Sequence, residues 1–254
     1  MKGWIPAINR AIIATMVLMV LPGCQQKDHS TSGYVSSNLI YLNSPLGGTL
    51  TQLAVKKGQG IKKGALLFKL DPQPQKDNLT AHQTNVNQAL ADYNSLKKQK
   101  RLQGSKQLAT ARRQLIQARA LRNASRFALS SKTVSAPAAG TVHHIFYQQG
   151  EYVPATRPVI SLIPQHAYKI VFYVNQADLH SIKLGQVVQA RCDGCHTFYP
   201  ATVNYISQKA AFTPDALFDK QNRQRLSFRV EAKLDKQVDR HFRLGQGVDV
   251  QYDK

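Results

Sequence analysis

Residues 44–70 read SPLGGTLTQLAVKKGQGIKKGALLFKL, and residues 136–162 read APAAGTVHHIFYQQGEYVPATRPVISL. Pro45, Gly48, Thr49, Gly58 and Ile61 of the first stretch stand against Pro137, Gly140, Thr141, Gly150 and Val153 of the second. Every pair is 92 positions apart (137 − 45 = 92; 150 − 58 = 92). The same short motif is written twice. Within the first copy, Leu50, Leu53 and Val55 are separated by polar residues, and Lys56-Lys57-Gly58 and Lys62-Lys63-Gly64 mark turns before the run Ala65 to Leu70. Short strands punctuated by glycine at near-regular spacing predict a small β-sandwich or barrel. One compact unit has been cut in two, and a long insert fills the cut.

The insert is helical in pattern. Asp71-Pro72 marks the switch, because proline is favoured in the first turn of a helix. From about Gln75 to Gln103, Leu79, Val86, Leu90, Tyr93 and Leu96 form one stripe. Gly104-Ser105 is a break, after which Leu108, Ala111, Leu115, Ala118, Leu121 and Ala128 form a second. Two amphipathic helices joined by a short turn predict an antiparallel hairpin. Stripes of only two residues per seven are the narrow seam of a coiled coil rather than the wide face of a core helix. Arms of about 28 residues would project roughly 40 Å at 1.5 Å per residue.

The flanks divide the rest of the chain. Residues 1–23 read as a leader: Lys2 and Arg10 precede the apolar run Ala11 to Leu21, which is shorter than the about 20 residues needed to span a bilayer and has the length of a signal-peptide core. The run ends in Leu21-Pro22-Gly23-Cys24, which resembles a bacterial lipobox and makes Cys24 the expected lipidation site. An ordinary secretory signal with an incidental cysteine is the alternative. Acyl chains would anchor the mature protein, since each buried methylene adds about 0.8 kcal/mol. Residues 24–32 are polar and expected to be a flexible tether. Tyr34 to Leu42 predicts a strand, and residues 33–43 are assigned to a β-barrel as its first strand. The sandwich halves then occupy 44–72 and 133–164, the helical insert 73–132, and the remaining barrel 165–254.

Charge narrows the partners. The chain carries 34 Lys plus Arg against 14 Asp plus Glu, a formal charge of +20, and its only glutamates are Glu151 and Glu231. Such a balance fits nucleic acid or an anionic membrane surface, but an exported protein meets no nucleic acid. A solvated basic surface is the plainer explanation.

Two half-motifs of the form P-x-x-G-T-[LV], with Gly nine residues after the Thr and a branched apolar residue three further on, resemble the split biotinyl/lipoyl-like domain. With a helical insert and a following β-barrel, the order resembles the HlyD-type periplasmic adaptors, also called membrane fusion proteins. Val174-Asn175-Gln176-Ala177-Asp178-Leu179 before Gly185-Gln186-Val187 is similar to the opening of the adaptor barrel. Ala211-Phe212-Thr213-Pro214, Leu226–Val230 and Leu244-Gly245-Gln246-Gly247-Val248 are similar to the branch serving ABC-type exporters. The resemblance implies a mixed, mainly β fold: a split lipoyl-like sandwich, an inserted antiparallel coiled-coil hairpin and a β-barrel. It further implies a ring, often of six subunits, on an inner-membrane transporter, with the hairpins directed at an outer-membrane duct and no chemistry performed. Duct-docking adaptors carry Arg, Leu and Ser near the tip. Placing Leu102 at the Leu position puts Lys98 at the Arg and Ala109 at the Ser.

The tip residues Lys97, Lys98, Lys100, Arg101, Leu102, Gly104 and Ser105 are the expected partner contact. No cofactor is expected, because the inserted helices replace the turn on which a carrier domain presents its modified lysine. Asp193-Gly194 between Cys192 and Cys195 is the signal of a two-residue hairpin; nothing at such a turn acidifies a thiol, and a structural or incidental disulfide is favoured over free thiols. His196 beside Cys195 leaves a metal site short of ligands, and His143 and His144 point to opposite faces of a strand. With so few acids and no nucleophile set, the sequence predicts no enzyme. An envelope spacer or a wall- or lipopolysaccharide-binding protein on the same scaffold is the alternative to an adaptor.

Overall fold

The computed structural model describes residues 29–99, 101, 104–211, 226–235 and 241–252. Cys24, Lys100 and Leu102 lie outside the described residues, as does the leader. Among the described residues the fold is mainly β, with two long helices and a 3-10 turn at Leu179–Ser181.

The expected single strand at 33–43 is two strands of different bodies. β1 (His29–Ser37) begins inside the segment expected to be a tether, and β2 (Ile40–Asn43) follows after a break at Asn38-Leu39. Val35 is buried in one hydrophobic core and Leu42 in another. Val35 and Leu42 are seven positions apart (42 − 35 = 7), opposite phases of a period-two pattern, so one straight strand could not turn both inward. At the junction Lys169 Nζ donates to Asn38 Oδ1 at 2.9 Å.

The half-motifs interlock. The first gives β3 (Gly48–Leu53), β4 (Gly60–Ile61) and β5 (Leu66–Leu70); after the insert come β6 (Thr133–Ser135), β7 (Gly140–Ile145), β8 (Tyr152–Val153) and β9 (Pro158–Pro164). The strands of the two copies again start 92 apart (140 − 48, 152 − 60 and 158 − 66). One sheet runs β2-β9-β7-β4 and the other β6-β5-β3-β8, so each copy lends its short middle strand to the other copy's sheet. Gly48 lies opposite Val153, and Ile61 opposite Gly140, the same pairing seen twice. Between the sheets Leu50, Leu67, Phe68, Leu70, Val142, Ile160 and Leu162 form a closed core. At 25 cal/mol per Å² of apolar area, burying each such side chain is worth about 1.5–3 kcal/mol.

Helix α1 (Gln73–Lys98) starts with proline in its first turn, as expected, and α2 (Lys106–Ser130) starts behind the N-cap Ser105, whose Oγ accepts from Leu108 N–H at 3.2 Å. Neither helix is long and apolar enough to cross a membrane.

The second body is a closed barrel. β10 (Tyr168–Asn175), β11 (Val187–Cys192), β12 (Tyr199–Ala211), β13 (Ser227–Leu234) and β14 (Gly247–Tyr252) join β1 in the order β1-β10-β13-β12-β11-β14. Alternation along β14, with Val248, Val250 and Tyr252 inside, shows how period-two patterning fills the interior beside Phe172, Val188, Val230 and Phe242. Closure removes the unpaired edges a sheet would otherwise expose.

The Cys192–Cys195 turn is not the tight two-residue hairpin expected. Tyr199 is the residue opposite Ala190 and β11 runs on to Cys192 against β14, so residues 193–198 connect β11 to β12. Within it, Gly194 takes φ +80°, Cys195 N–H donates to Cys192 O at 2.9 Å, and a disulfide joins the two cysteines with Cα atoms 5.2 Å apart. The bond closes a turn rather than bridging two strands. On the adjoining end of β11, Arg191 has its guanidinium 4.8 Å from the Phe198 ring and 3.3 Å from the Asp249 carboxylate.

Candidate functional site: the helix pair and its base

The two helices lie side by side in opposite directions. Near their base His82 Nδ1 is 2.6 Å from Ser125 Oγ and Arg122 Nη1 donates to Gln83 Oε1 at 3.4 Å; further out, Leu96 and Thr110 line one groove. Covered positions on α1 include Gln75, Leu79, His82, Val86, Ala89, Tyr93 and Leu96, a run in steps of four and three, with Gln83 and Leu90 covered beside it. On α2 they include Leu108, Ala111, Leu115, Ala118, Arg122, Ser125 and Leu129, in steps of three and four, with Thr110 and Ala128 covered beside them.

The α1 stripe expected from sequence is wholly covered; the α2 stripe departs at one point. Leu121 is 47% exposed, and Arg122 takes its place in the seam. Two successive steps of three, from Leu115 to Ala118 to Leu121, break the three-four alternation, and hydrophobicity alone had selected Leu121. Keeping the alternation would have found Arg122, Ser125 and, across from them, His82. The fully buried apolar residues Val86, Ala111 and Leu115 lie toward the outer half of the pair, while the half nearer the sandwich combines half-buried Leu79, Ala118 and Leu129 with the His82–Ser125 and Arg122–Gln83 contacts.

At the tip, Lys97, Lys98, Arg101 and Gly104 are exposed and Ser105 is half-buried. Lys97 Nζ sits 5.9 Å from the Tyr93 ring centroid, and Gly104 adopts φ +80°. The structure therefore gathers these expected contact residues at one end of the pair. Just below, Asp92, Leu96, Lys106, Gln107, Ala111 and Gln114 line an open groove of about 410 Å³.

The base carries residues that sequence reasoning did not single out. Lys132 is 3% exposed, and its Nζ donates to Gly47 O at 2.5 Å. Ser44 is 1% exposed, its hydroxyl within donating reach of Ser131 O (2.8 Å) and Leu46 O (2.9 Å) while Leu46 N–H donates to it at 3.2 Å. Thr156 N–H donates to Ser44 O at 2.9 Å. These bonds clamp the end of α2 to the sandwich. Since β2 runs from the barrel junction at Ile40 to Asn43, next to this clamp, the sandwich stands between barrel and helices. Among the described residues, no group of three or more His, Cys, Asp and Glu is placed to hold a metal ion.

Comparison with known proteins adds to this geometry. Residues 38–163 match the barrel-sandwich hybrid domain of RND membrane fusion proteins. That span covers both half-motifs and the helix pair. Among solved structures, the chain is similar to a chimera of MacA carrying the α-hairpin domain of Pseudomonas aeruginosa MexA, with TM-score 0.76 and 22% identity over 90% of this chain and 82% of that one. It is also similar to the membrane fusion protein Spr0693 of Streptococcus pneumoniae R6 (TM-score 0.71, 17% identity, 89% of this chain and 99% of that one). The periplasmic adaptor protein EmrA gives TM-score 0.55 and 15% identity over 91% and 99%. At these identities the likeness is one of fold. The expected relationship to membrane fusion proteins holds at that level; the matched domain is described for the RND type rather than the HlyD type.

Proposed function

We propose that the chain is a lipid-anchored periplasmic adaptor subunit that links an inner-membrane exporter to the outer envelope and performs no chemistry. The observation that carries this reading is the linear order barrel, sandwich, helix pair, with the polypeptide entering at one end and the basic tip at the other. β1 starts at His29, paired with Tyr252 at the barrel end remote from the sandwich, so an anchor at Cys24 would tether the end opposite the tip. The alternating three-four seam supports reading the helices as a coiled-coil hairpin, about 39 Å long at 1.5 Å per residue. Assembly into a ring, often hexameric among such adaptors, would make this reach into a conduit.

The exporter is read as an ABC type, on the resemblance of Ala211–Pro214 and Leu244–Val248 to that branch. The RND description of the matching domain favours a second reading, a secondary pump. Stimulation of ATP hydrolysis by a co-reconstituted partner decides between them.

Crosslinking tests the adaptor reading. With Lys98→Cys or Arg101→Cys at the exposed tip, adducts with an envelope protein are expected in cells, together with loss of export on deletion of the chain. Cys24→Ser should release the protein from membranes. Recovery of uncrosslinked monomer with export intact would refute the proposal and favour a spacer or an anionic-polymer-binding protein.

A further inference from the structure

The outer face of α2 carries a second repeating strip, independent of the seam that holds α1. Arg112, Ile116, Arg119, Asn123 and Arg126 follow one another in steps of four and three, and all are exposed. Phe127 lies on the same side, 68% exposed, and Ile116 is 57% exposed. The arginines recur every seven residues, about 10.5 Å apart along the helix. No carboxylate among the described residues forms an ion pair with them.

Steps of four and three are the geometry by which one helix seats along another. We infer that this strip docks an α-helix of a different protein, one bearing acidic residues at seven-residue spacing with apolar residues between. Charge complementarity decides the occupant. Helix α2 has six basic residues and no acid, and α1 has Lys76, Lys97 and Lys98 against Asp77 and Asp92. A second copy would therefore present helices of net charge +6 and +1 (3 − 2 = 1) to a strip already positive, and like charges at helix–helix contacts are repelled. A bilayer surface fits less well, since interfacial helices need a broad apolar face and this strip offers Ile116 and Phe127 eleven residues apart (127 − 116 = 11). The inference stands on the strip alone and does not require the adaptor reading.

The test uses the full chain and synthetic amidated peptides about four heptads long, each with glutamate at every seventh position flanked by leucine. Affinity is measured by fluorescence anisotropy near physiological salt. The patterned peptide is expected to bind at least about tenfold more tightly than a scrambled peptide of equal composition. The substitutions Arg112→Glu, Arg119→Glu and Arg126→Glu together should weaken binding about tenfold or more, and Ile116→Ser with Phe127→Ser several-fold. Arg→Gln at the same three positions, with helix content checked by circular dichroism, covers the case in which the glutamate variant misfolds, and should weaken binding by a smaller factor. Equal affinity for the scrambled peptide, tighter retention on anionic phosphatidylglycerol vesicles, or binding unchanged by the arginine substitutions would each overturn the inference.

Discussion

Thr156 holds φ +65°, a left-handed conformation that β-branched residues rarely adopt. Its counterpart 92 positions earlier is Gly64, at φ +83° (156 − 64 = 92). The two copies thus require the same left-handed backbone, and only the first uses the residue suited to it. Thr156 is held there by two bonds, its N–H to Ser44 O at 2.9 Å and its carbonyl oxygen accepting from Asn43 Nδ2 at 3.0 Å. A non-glycine residue in this region costs about 1–2 kcal/mol, while glycine adds about 0.5–1 kcal/mol of unfolded-state freedom. Thr156→Gly should therefore stabilise the sandwich by about 0.5–1 kcal/mol, less a small loss of the exposed Thr156 Oγ1 to Ala155 O bond. Thr156→Asn should fall between. Gly64→Thr should cost about 1–2 kcal/mol for conformation alone, because a Cβ at Gly64 meets nothing within 4 Å. Because a chain with two cores need not unfold in one step, the assay is hydrogen exchange at sandwich amides such as Val142 and Leu162. Slower exchange in Thr156→Gly and faster exchange in Gly64→Thr are expected. The opposite order would refute the claim that the turn is strained and that the repeat sets equivalent backbone at both sites.

Gly140→Ala should destabilise the sandwich by about 1–3 kcal/mol, because its Cβ would collide with the Ile163 carbonyl, whereas Gly48→Ala should cost less, since it meets the end of the Lys132 side chain at 2.8 Å rather than backbone; denaturant midpoints of the two variants check the order. Reducing the Cys192–Cys195 disulfide, or replacing both with Ser, should lower barrel stability by no more than about 2 kcal/mol, the loop-closure value for so short a turn, measured by urea denaturation with and without reductant. Burial, and then Asp178, raise the Tyr252 phenol above its ordinary 10.0. The folded state thus favours the neutral form, and the associated stability is intact below about pH 10 and lost as pH climbs through the raised value. Tyr252→Phe should flatten that alkaline decline in thermal melts.

Much of the fold was legible because the repeat fixed it. The 92-residue offset identified which strands are equivalent, and the switch from period two to helical period located the insert. What the sequence hid was pairing. Nothing local in Gly60-Ile61 or Tyr152-Val153 says that each strand joins the other copy's sheet, since a two-residue strand carries no periodicity. The division at Asn38-Leu39 left one mark in the sequence, a shift of the apolar positions from odd (Val35, Leu39) to even (Ile40, Leu42), which reading the run as one strand passed over. At the candidate site, the basic tip could be read from composition. The buried Lys132 and Ser44 could not, because a lysine or serine signals burial only through long-range partners, here Gly47 O and Ser131 O. Arg122 in the seam was obscured by the neighbouring Leu121, whose hydrophobicity outweighed its position.

The exchange of middle strands gives the helix pair a second role, in assembling the body from which it projects. Neither half-motif can complete a sheet alone, so Leu70 and Thr133 must meet across 62 intervening residues (133 − 70 − 1 = 62). Closing a flexible loop of that length costs about 3.7 kcal/mol in its length-dependent part. A helix pair with a three-four seam forms through contacts local in sequence, which are the fast ones, and once formed it brings its two ends together. Leu70 N–H donates to Lys132 O at 2.8 Å at that meeting point, and Lys69 lies opposite Thr133. The clamp of Ser44 and Lys132 then fixes the angle at which the pair leaves the sandwich. The projecting element is therefore also the clip that lets two separated copies of a motif behave as one domain.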